Sequence, residues 1–217
     1  LAKQKANGSE SDDTICTADL TDDEILEGLN LLLIGDSIAV DVTDDFYEMF
    51  PNSVSDTKIG RITSLGKQVL DSYIDEKKWE GEGVIFASLS NSPINGELEA
   101  IREKIGKNMP LFLTTVRIPH DTFEEESNSK IKKFVEENDH TYLIDWYAAS
   151  EGHDEYFDAD DTHLLSAGAK AYAKCIKEAV LDAYKKENIE IPKSRLVSST
   201  DTSTDSSNDS STDTSTE

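Results

Sequence analysis

The sequence predicts an α/β fold: a three-layer α/β/α sandwich built around a five-stranded, mainly parallel sheet. Short apolar runs, typical of strands buried on both faces of a parallel sheet, alternate along the chain with longer stretches that have helical spacing. Strict alternation implies right-handed crossovers, which place helices on both faces of the sheet. Ligands of such folds bind beyond the carboxyl ends of the strands, so the residues that follow each apolar run are the candidates for a site.

Leu, Ile, Val and Phe dominate the expected strands, which have few polar residues. The clear runs cover residues 31–34, 84–87, 111–116 and 142–144, and a weaker strand is expected near residues 53–59. Helical spacing covers residues 38–50, 62–74, 96–105, 123–137 and 165–184. In the last of these stretches, apolar side chains recur at three- and four-residue steps and form one stripe, which indicates a helix packed on the sheet.

The two ends of the chain differ in composition from its middle. Residues 1–24 are polar and acidic, and we expect them to form a linker. Residues 198–217 contain only Ser, Thr, Asp, Glu and Asn, so no apolar surface offsets the entropy lost on ordering, and we expect a disordered tail. Residues 25–197 remain as one domain of ordinary size. Because the chain begins at Leu1 with no Met and no export signal, we expect it to be a piece of a longer protein.

The chain is strongly acidic, with 21 Lys and Arg against 45 Asp and Glu and a formal net charge of −24. Nucleic-acid binding needs a concentrated basic patch, which the sequence lacks, so we expect no nucleic-acid partner. No apolar run approaches the roughly 20 residues that span a bilayer. Two cysteines, Cys16 and Cys175, fit one disulfide as well as two free thiols; a bridge would pin the N-terminal linker to the C-terminal helix.

A candidate nucleophile follows the first strand. Gly35 permits a tight turn, and Ser37 then lies at the N-terminus of the next helix, where unpaired N–H groups and the helix dipole favour a developing oxyanion. Ser is also among the commonest helix N-caps, so for this tripeptide alone a capping role is the favoured interpretation.

A candidate base and a carboxylate to orient it lie just before the C-terminal helix. His163 can take a serine proton if a carboxylate holds its tautomer, and Asp160, three residues earlier, can supply that carboxylate. The alternatives are an exposed loop histidine and a solvated acidic turn. A metal site formed by His153, Asp158, Asp160 and His163 is disfavoured, because these residues lack the helical histidine spacing of zinc sites.

Two further short blocks lie between these candidates: Gly60 follows the weak second strand, and Asn91 follows the third. Together the four blocks, in this order, resemble the SGNH (GDSL-type) hydrolase family. The resemblance implies that Ser37 is the nucleophile and that the Ser37 and Gly60 N–H groups and the Asn91 amide form the oxyanion hole. It also implies that Asp160 orients His163 as the general base and that no cofactor or metal takes part.

Segments between the blocks support a narrower resemblance. Residues 116–119, Asn128 and residues 144–146 look like the extracellular SGNH domain of peptidoglycan O-acetyltransferases of the O-acetyltransferase A type. In that family a membrane-embedded acyltransferase portion delivers acetyl groups, and the SGNH domain transfers them to the C6 hydroxyl of N-acetylmuramic acid. The resemblance therefore implies a location on the extracellular face of the bacterial cell membrane. It makes Arg117 and Asn128 candidate substrate contacts, with a surface charge and a helix cap as the alternatives, while Trp146 is expected to pack in the core.

The expected reaction is a two-step acetyl transfer through an acyl-serine intermediate at Ser37, with a peptidoglycan hydroxyl as the acceptor. With water as the acceptor, the same groups make a carbohydrate or lipid esterase. A non-catalytic cell-wall binding module is the third alternative. It is motivated by Leu89 and Asp161, which stand where the third and last blocks of the family commonly have Gly, and by the long polar ends.

Overall fold

The computed structural model describes residues 14–196, in which five parallel strands form a central sheet covered by helices on both faces. The strands are β1 (Thr14–Cys16), β2 (Leu31–Gly35), β3 (Val54–Thr57), β4 (Gly83–Ala87), β5 (Leu111–Thr114), β6 (Thr141–Ile144) and β7 (Glu190–Pro192). The helices are α1 (Asp22–Gly28), α2 (Ser37–Met49), α3 (Thr63–Asp75), α4 (Glu97–Ile105), α5 (Glu124–Glu137), α6 (Trp146–Ala149) and α7 (Ser166–Glu187).

The strand order in the central sheet is β3-β2-β4-β5-β6, and every neighbouring pair is parallel. This confirms the predicted five-stranded sheet and its three-layer sandwich. The weak second strand is the edge strand β3, whose residues are only half-buried, which explains its weak apolar pattern. Because all five strands point the same way, the segments that follow β2, β3 and β4 leave the sheet on the side where the strands have their carboxyl ends. We call this side the active edge.

Alternate side chains of the strands pack into two separate hydrophobic cores. In β2, Leu31 and Leu33 pack into the core shared with α2 and α7, whereas Leu32 and Ile34 pack into the core shared with α3, α4 and α5. The two-residue period of strand side chains produces this division. The apolar stripe predicted for the last helix faces the first core, and most of its members are buried. Within residues 14–196, no helix is long and apolar enough to cross a membrane.

The N-terminal segment is ordered earlier in the chain than predicted. The expected linker over residues 1–24 is wrong in its later part, because β1 pairs antiparallel with β7 and α1 begins at Asp22. Thr21 caps α1 through a capping box with Glu24, in which each side chain binds the backbone N–H of the other residue. The three residues of β1 find their partner at the far end of the domain, so the local sequence does not indicate a strand. Residues 1–13, residue 197 and the predicted tail, 198–217, lie outside the described residues.

Both cysteines are free thiols, which contradicts the disulfide alternative. The register of the two-stranded sheet places Cys16 opposite Glu190, beyond the end of α7 at Glu187. Cys175 lies about three turns before that end, which is about 18 Å along a helix that rises 1.5 Å per residue. A disulfide needs Cα atoms within about 7 Å of each other, so the fold keeps the two thiols apart.

We predict that the unreduced protein, once denatured, contains two reactive thiols per chain. Thiol titration in denaturant should give the same count before and after reduction. In the native protein Cys175 should react slowly, because burial raises the pKa of its thiol and so lowers its thiolate fraction. Two thiols that appear only after reduction would contradict the separation of Cys16 and Cys175.

Candidate active site

The turn from β2 into α2 presents Ser37 as the first residue of the helix, with 8% of it exposed. The side chain of Asp36, the N-cap, accepts a hydrogen bond from the Ile38 N–H at 3.1 Å. A Cβ atom at Gly35 would lie 2.1 Å from the Cβ of Ala39. Glycine is thus required here by the close approach of α2 to the end of β2, rather than by the conformational freedom of a tight turn.

Asp36 also joins the serine turn to the loop that follows β4. Its Oδ2 atom accepts hydrogen bonds from the Ser90 N–H at 3.1 Å and from the Ser90 hydroxyl at 2.5 Å. Burial raises the pKa of the Asp36 carboxyl, and the hydrogen bonds from Ser90 and Ile38 oppose that rise. Ser90 was not predicted from the sequence, although its position after a predicted strand and next to Asn91 could have pointed to it.

A hydrogen-bonded chain runs from Ser37 through His163 to Asp160. The Ser37 Oγ atom lies 2.9 Å from His163 Nε2, and His163 Nδ1 lies 2.6 Å from Asp160 Oδ2. Asp160 Oδ1 accepts hydrogen bonds from the backbone N–H groups of Thr162 and His163, at 3.0 and 2.9 Å. An ionised carboxylate only accepts, so it selects the tautomer with the proton on Nδ1 and leaves Nε2 to accept from the serine hydroxyl.

The charges around His163 favour its protonated form. The hydrogen bond with Asp160 raises the pKa of the imidazole above its usual value; partial burial opposes the rise, and the negative charges of Asp160, Asp41 and Asp36 add to it. The hydrogen bonds from His163 lower the pKa of the Asp160 carboxyl to about 2. Asp160 therefore stays ionised over the whole range in which His163 titrates, and it can stabilise an imidazolium formed by proton transfer from serine.

The loop that carries the base and its carboxylate, residues 157–165, is held in place by specific contacts. Asp161 adopts a left-handed conformation with φ of 55°, which an Asp tolerates better than most residues and which a Gly adopts freely. Its carboxylate lies 3.2 Å from His120 Nε2 in the loop after β5. The Leu164 N–H donates to the Asp41 carboxylate at 3.1 Å, which ties the loop to α2.

Gly60 lies in the turn after β3, with a left-handed φ of 70°. The Lys58 N–H donates to the Gly35 carbonyl at 3.1 Å, which sets this turn beside the serine turn. A groove of about 400 Å³ adjoins the turn and is lined by Lys58, Ile59, Gly60, Arg61, Leu65, Gln68, Val69 and Ser72. Aliphatic side chains thus lie next to the glycine.

Asn91 is exposed and lies in the segment that follows β4. Its Nδ2 atom lies 3.2 Å from the Ser90 hydroxyl, which Asp36 holds in turn. Among residues 14–196, no described hydrogen bond joins Asn91 or Gly60 directly to Ser37. A donor of an oxyanion hole points at the substrate oxygen rather than at the nucleophile, so the assignment of both residues to the oxyanion hole stays a prediction.

The structure gives Asn128 a role inside the protein. Its Oδ1 accepts from the Val116 N–H and its Nδ2 donates to the Val116 carbonyl, both at 2.8 Å, and the residue is buried. Its amide thus holds the chain after β5, and a substrate contact by Asn128 stays a prediction. Arg117 donates to the Ser150 carbonyl at 3.3 Å and stacks 5.0 Å from the ring centroid of Phe157. A substrate contact by Arg117 stays a prediction.

Trp146 is buried and packs against three aromatic rings, as expected: Tyr156, Phe157 and Tyr172. His153, one of the residues of the metal alternative, pairs with Glu155 at 2.8 Å. In the part of the chain that the structure describes, no group of three or more His, Cys, Asp or Glu side chains is arranged to hold a metal ion.

Comparison with known proteins places this fold in a class. No protein-family model matches the chain. Its structure is similar to a GDSL-like lipase from Bacteroides thetaiotaomicron, with a TM-score of 0.56, 14% identity, and coverage of 79% of this chain and 94% of that one. It is also similar to the C-terminal catalytic domain of peptidoglycan O-acetyltransferase A from Streptococcus pneumoniae, with a TM-score of 0.66, 20% identity, and coverage of 75% and 97%. The chain has the fold of the SGNH (GDSL-type) hydrolases.

Sequence homology is more specific within that class. The chain is a homologue of O-acetyltransferase OatA from Staphylococcus aureus, with 34% identity over 146 residues. That match covers 67% of this chain and 24% of the relative, so the chain spans about a quarter of the length of the curated relative. Both resemblances inferred from the sequence are thereby confirmed: the one to the SGNH hydrolases and the narrower one to the O-acetyltransferase A type.

We predict that the His163 ring titrates above its ordinary pKa of about 6.5 and that Asp160→Asn lowers this value, because the amide removes the charge that stabilises the imidazolium. Ring-proton chemical shifts measured by NMR across pH 4 to roughly 9 report it directly. Asp158→Asn is the matched control, since it removes a carboxylate from the same loop that does not bind the imidazole. Equal pKa values in wild type and Asp160→Asn would contradict the pairing of Asp160 with His163.

Proposed function

We propose that the chain is the acetyl-transferring domain of a peptidoglycan O-acetyltransferase that works through an acyl-serine intermediate. The observation that carries this proposal is the hydrogen-bonded chain of Ser37, His163 and Asp160, with Ser37 at the N-terminal end of α2. Homology to O-acetyltransferase OatA supports the reaction type. The intact chain of hydrogen bonds argues against the non-catalytic binding module.

The first step of the proposed reaction forms the acetyl-serine. His163 Nε2 accepts the Ser37 proton while Oγ attacks the carbonyl carbon of an acetyl ester donor. Asp160 stabilises the resulting imidazolium, and the N–H groups of Ser37 and Gly60 with the Asn91 amide stabilise the oxyanion. The bond to the donor alcohol then breaks, and His163 gives its proton to that leaving oxygen.

The second step transfers the acetyl group to the acceptor. A glycan hydroxyl gives its proton to His163 and attacks the acetyl carbon. The oxyanion that forms is stabilised by the same donors as in the first step. The bond to Ser37 breaks, Oγ takes the proton back from His163, and the acetylated glycan leaves. Every proton in this cycle passes through Nε2, so the reaction needs the neutral imidazole and stops as the pH falls through the raised pKa of His163.

We propose the C6 hydroxyl of N-acetylmuramic acid in peptidoglycan as the acceptor. The donor would be delivered by a membrane-embedded acyltransferase portion, on the extracellular face of the bacterial cell membrane. The description of the structurally similar domain as a peptidoglycan O-acetyltransferase supports this acceptor. Exposure of the base also supports it: the His163 and Asp160 side chains are 45% and 51% exposed, so a polymeric glycan can approach Nε2 without a large opening of the protein.

A carbohydrate or lipid esterase is the second candidate, because water can replace the glycan hydroxyl in the second step. The groove beside Gly60 favours this alternative, since the aliphatic side chains in its mixed lining, Ile59, Leu65 and Val69, suit an acyl chain longer than acetyl next to the proposed oxyanion donor. The two functions share their catalytic groups and differ in what binds beside the acetyl-serine.

We predict that an activated ester such as 4-nitrophenyl acetate adds one acetyl group to the wild-type protein and none to Ser37→Ala, as measured by intact mass after an acid quench. Ser64→Ala, in the first turn of α3, is the matched control because Ser64 also lies near a helix N-terminus. With peptidoglycan-derived oligosaccharides present, mass spectrometry should detect O-acetylated sugar. Orientation of the bound hydroxyl gives it the advantage over water.

Three outcomes separate the alternatives. O-acetylated sugar supports the transferase. Free acetate as the product with every glycan, together with efficient removal of acetyl groups from acetylated glycans, replaces it with the esterase. A folded wild-type protein that neither labels nor turns over the ester establishes the non-catalytic module instead.

We predict that Asn91→Ala lowers kcat for 4-nitrophenyl acetate by roughly 100- to 1000-fold, the usual cost of losing one oxyanion donor. Asn95→Ala is the control, because Asn95 lies in the same segment but donates to the Pro93 carbonyl. Steady-state kinetics measure both variants. Wild-type kcat in Asn91→Ala would remove Asn91 from the oxyanion hole and leave the two backbone N–H groups.

A further inference from the structure

Arg61 follows Gly60 directly, and its guanidinium is buried at the active edge of the sheet, with 6% of the residue exposed. Nη1 donates to the Gly35 carbonyl at 3.2 Å and to the Asp56 carbonyl at 2.5 Å, and Nη2 donates to Asp56 Oδ1 at 2.5 Å. One side chain therefore reaches from the turn after β3 to the last residue of β2, immediately before the serine turn.

The backbone of Arg61 makes two further connections. Its N–H donates to the Lys58 carbonyl at 3.2 Å, which closes a four-residue turn whose third residue, Gly60, has the positive φ that a type II turn requires. Its carbonyl accepts a hydrogen bond at 3.1 Å from the hydroxyl of Ser88, which is buried just after β4. Arg61 thus joins the end of β2 to the segments that follow β3 and β4. The proposed nucleophile follows directly on this end of β2, and the two segments carry Gly60 and Asn91, two of the proposed oxyanion donors.

The chemistry of these contacts requires a guanidinium. Its planar fork donates to two carbonyls and a carboxylate at once, whereas the single ammonium of Lys cannot hold the same oxygens in the same geometry. The carboxylate of Asp56 balances the buried charge. A comparable buried arginine, Arg102, donates to the carbonyls of Gly106, Met109 and His140, which lie outside the active edge.

We propose that Arg61 is a positioning residue of the acyl-transfer reaction. Its guanidinium holds the Gly60 turn against the end of β2, so that the Gly60 N–H faces the oxyanion formed at Ser37. This inference rests on the proposed function. If the turn moves by about 1 Å, the N–H no longer meets the developing charge, and the transition state is destabilised more than the bound ester.

The test compares Arg61→Lys with Arg102→Lys, its matched control, using 4-nitrophenyl acetate and the thermal unfolding midpoint. Both variants should unfold at a lower temperature than the wild type. Arg61→Lys should lower kcat roughly 10- to 100-fold with little change in KM, and Arg102→Lys should leave kcat unchanged. The loss of kcat in Arg61→Lys should be smaller with the thionoester analogue of 4-nitrophenyl acetate, in which sulfur replaces the carbonyl oxygen. That sulfur is a poor hydrogen-bond acceptor and gains little from the Gly60 N–H.

Each result decides between the alternatives. Wild-type kcat in a folded Arg61→Lys, or an equal loss of kcat in both variants, overturns the positioning role while leaving the proposed function intact. A wild-type protein that turns over no ester overturns the proposed function and this role together. If Arg61→Lys does not fold, Asp56→Asn replaces it, because it keeps Arg61 and an oxygen acceptor but removes the balancing charge. A fall in kcat of Asp56→Asn that is smaller than the one expected for Arg61→Lys supports the role, and an unchanged kcat overturns it.

Discussion

The buried carboxyl group of Asp36 has to find hydrogen-bond donors inside the protein, since an unpaired polar group in the core costs several kcal/mol. Its donors come from the first turn of α2 and from Ser90 after β4. One side chain therefore fixes two neighbouring segments relative to the end of β2. The position of Ser37 follows from this network and from the close contact of Gly35 with Ala39.

The two halves of the site are stabilised in different ways. The serine half belongs to the core, where packing and buried hydrogen bonds set its geometry. The half that carries His163 and Asp160 is exposed to solvent, which screens distant charges, so its electrostatics depend on direct contacts at hydrogen-bond distance. The contact at Nδ1 keeps Asp160 ionised and the imidazole basic, and the backbone contacts of the loop keep both groups in place.

Short-range patterns predicted the strands and the long helices, because each depends on local spacing. They made Ser37, Asp160 and His163 candidates only, and the resemblance to a known family supplied the expected roles. Contacts set by the register and packing of distant elements were not predictable in the same way. Arg61 meets the Gly35 carbonyl only because β3 lies beside β2, and Asn128 binds Val116 only because α5 packs there. The pairing of β1 with β7 depends on the whole domain closing.

That pairing also has a mechanical consequence. Thr14 lies opposite Pro192, so the chain enters this two-stranded sheet and leaves it at neighbouring positions. Beside it, Thr17 donates to the Tyr184 carbonyl, and the Tyr184 hydroxyl donates to the Glu82 carbonyl ahead of β4, at the amino edge of the sheet. Tension applied between Thr14 and Pro192 would separate the three residue pairs of this sheet before it loaded the central sheet. The reactive groups lie at the active edge, one strand length or about 16 Å away, and would stay assembled while the two-stranded sheet of β1 and β7 opened.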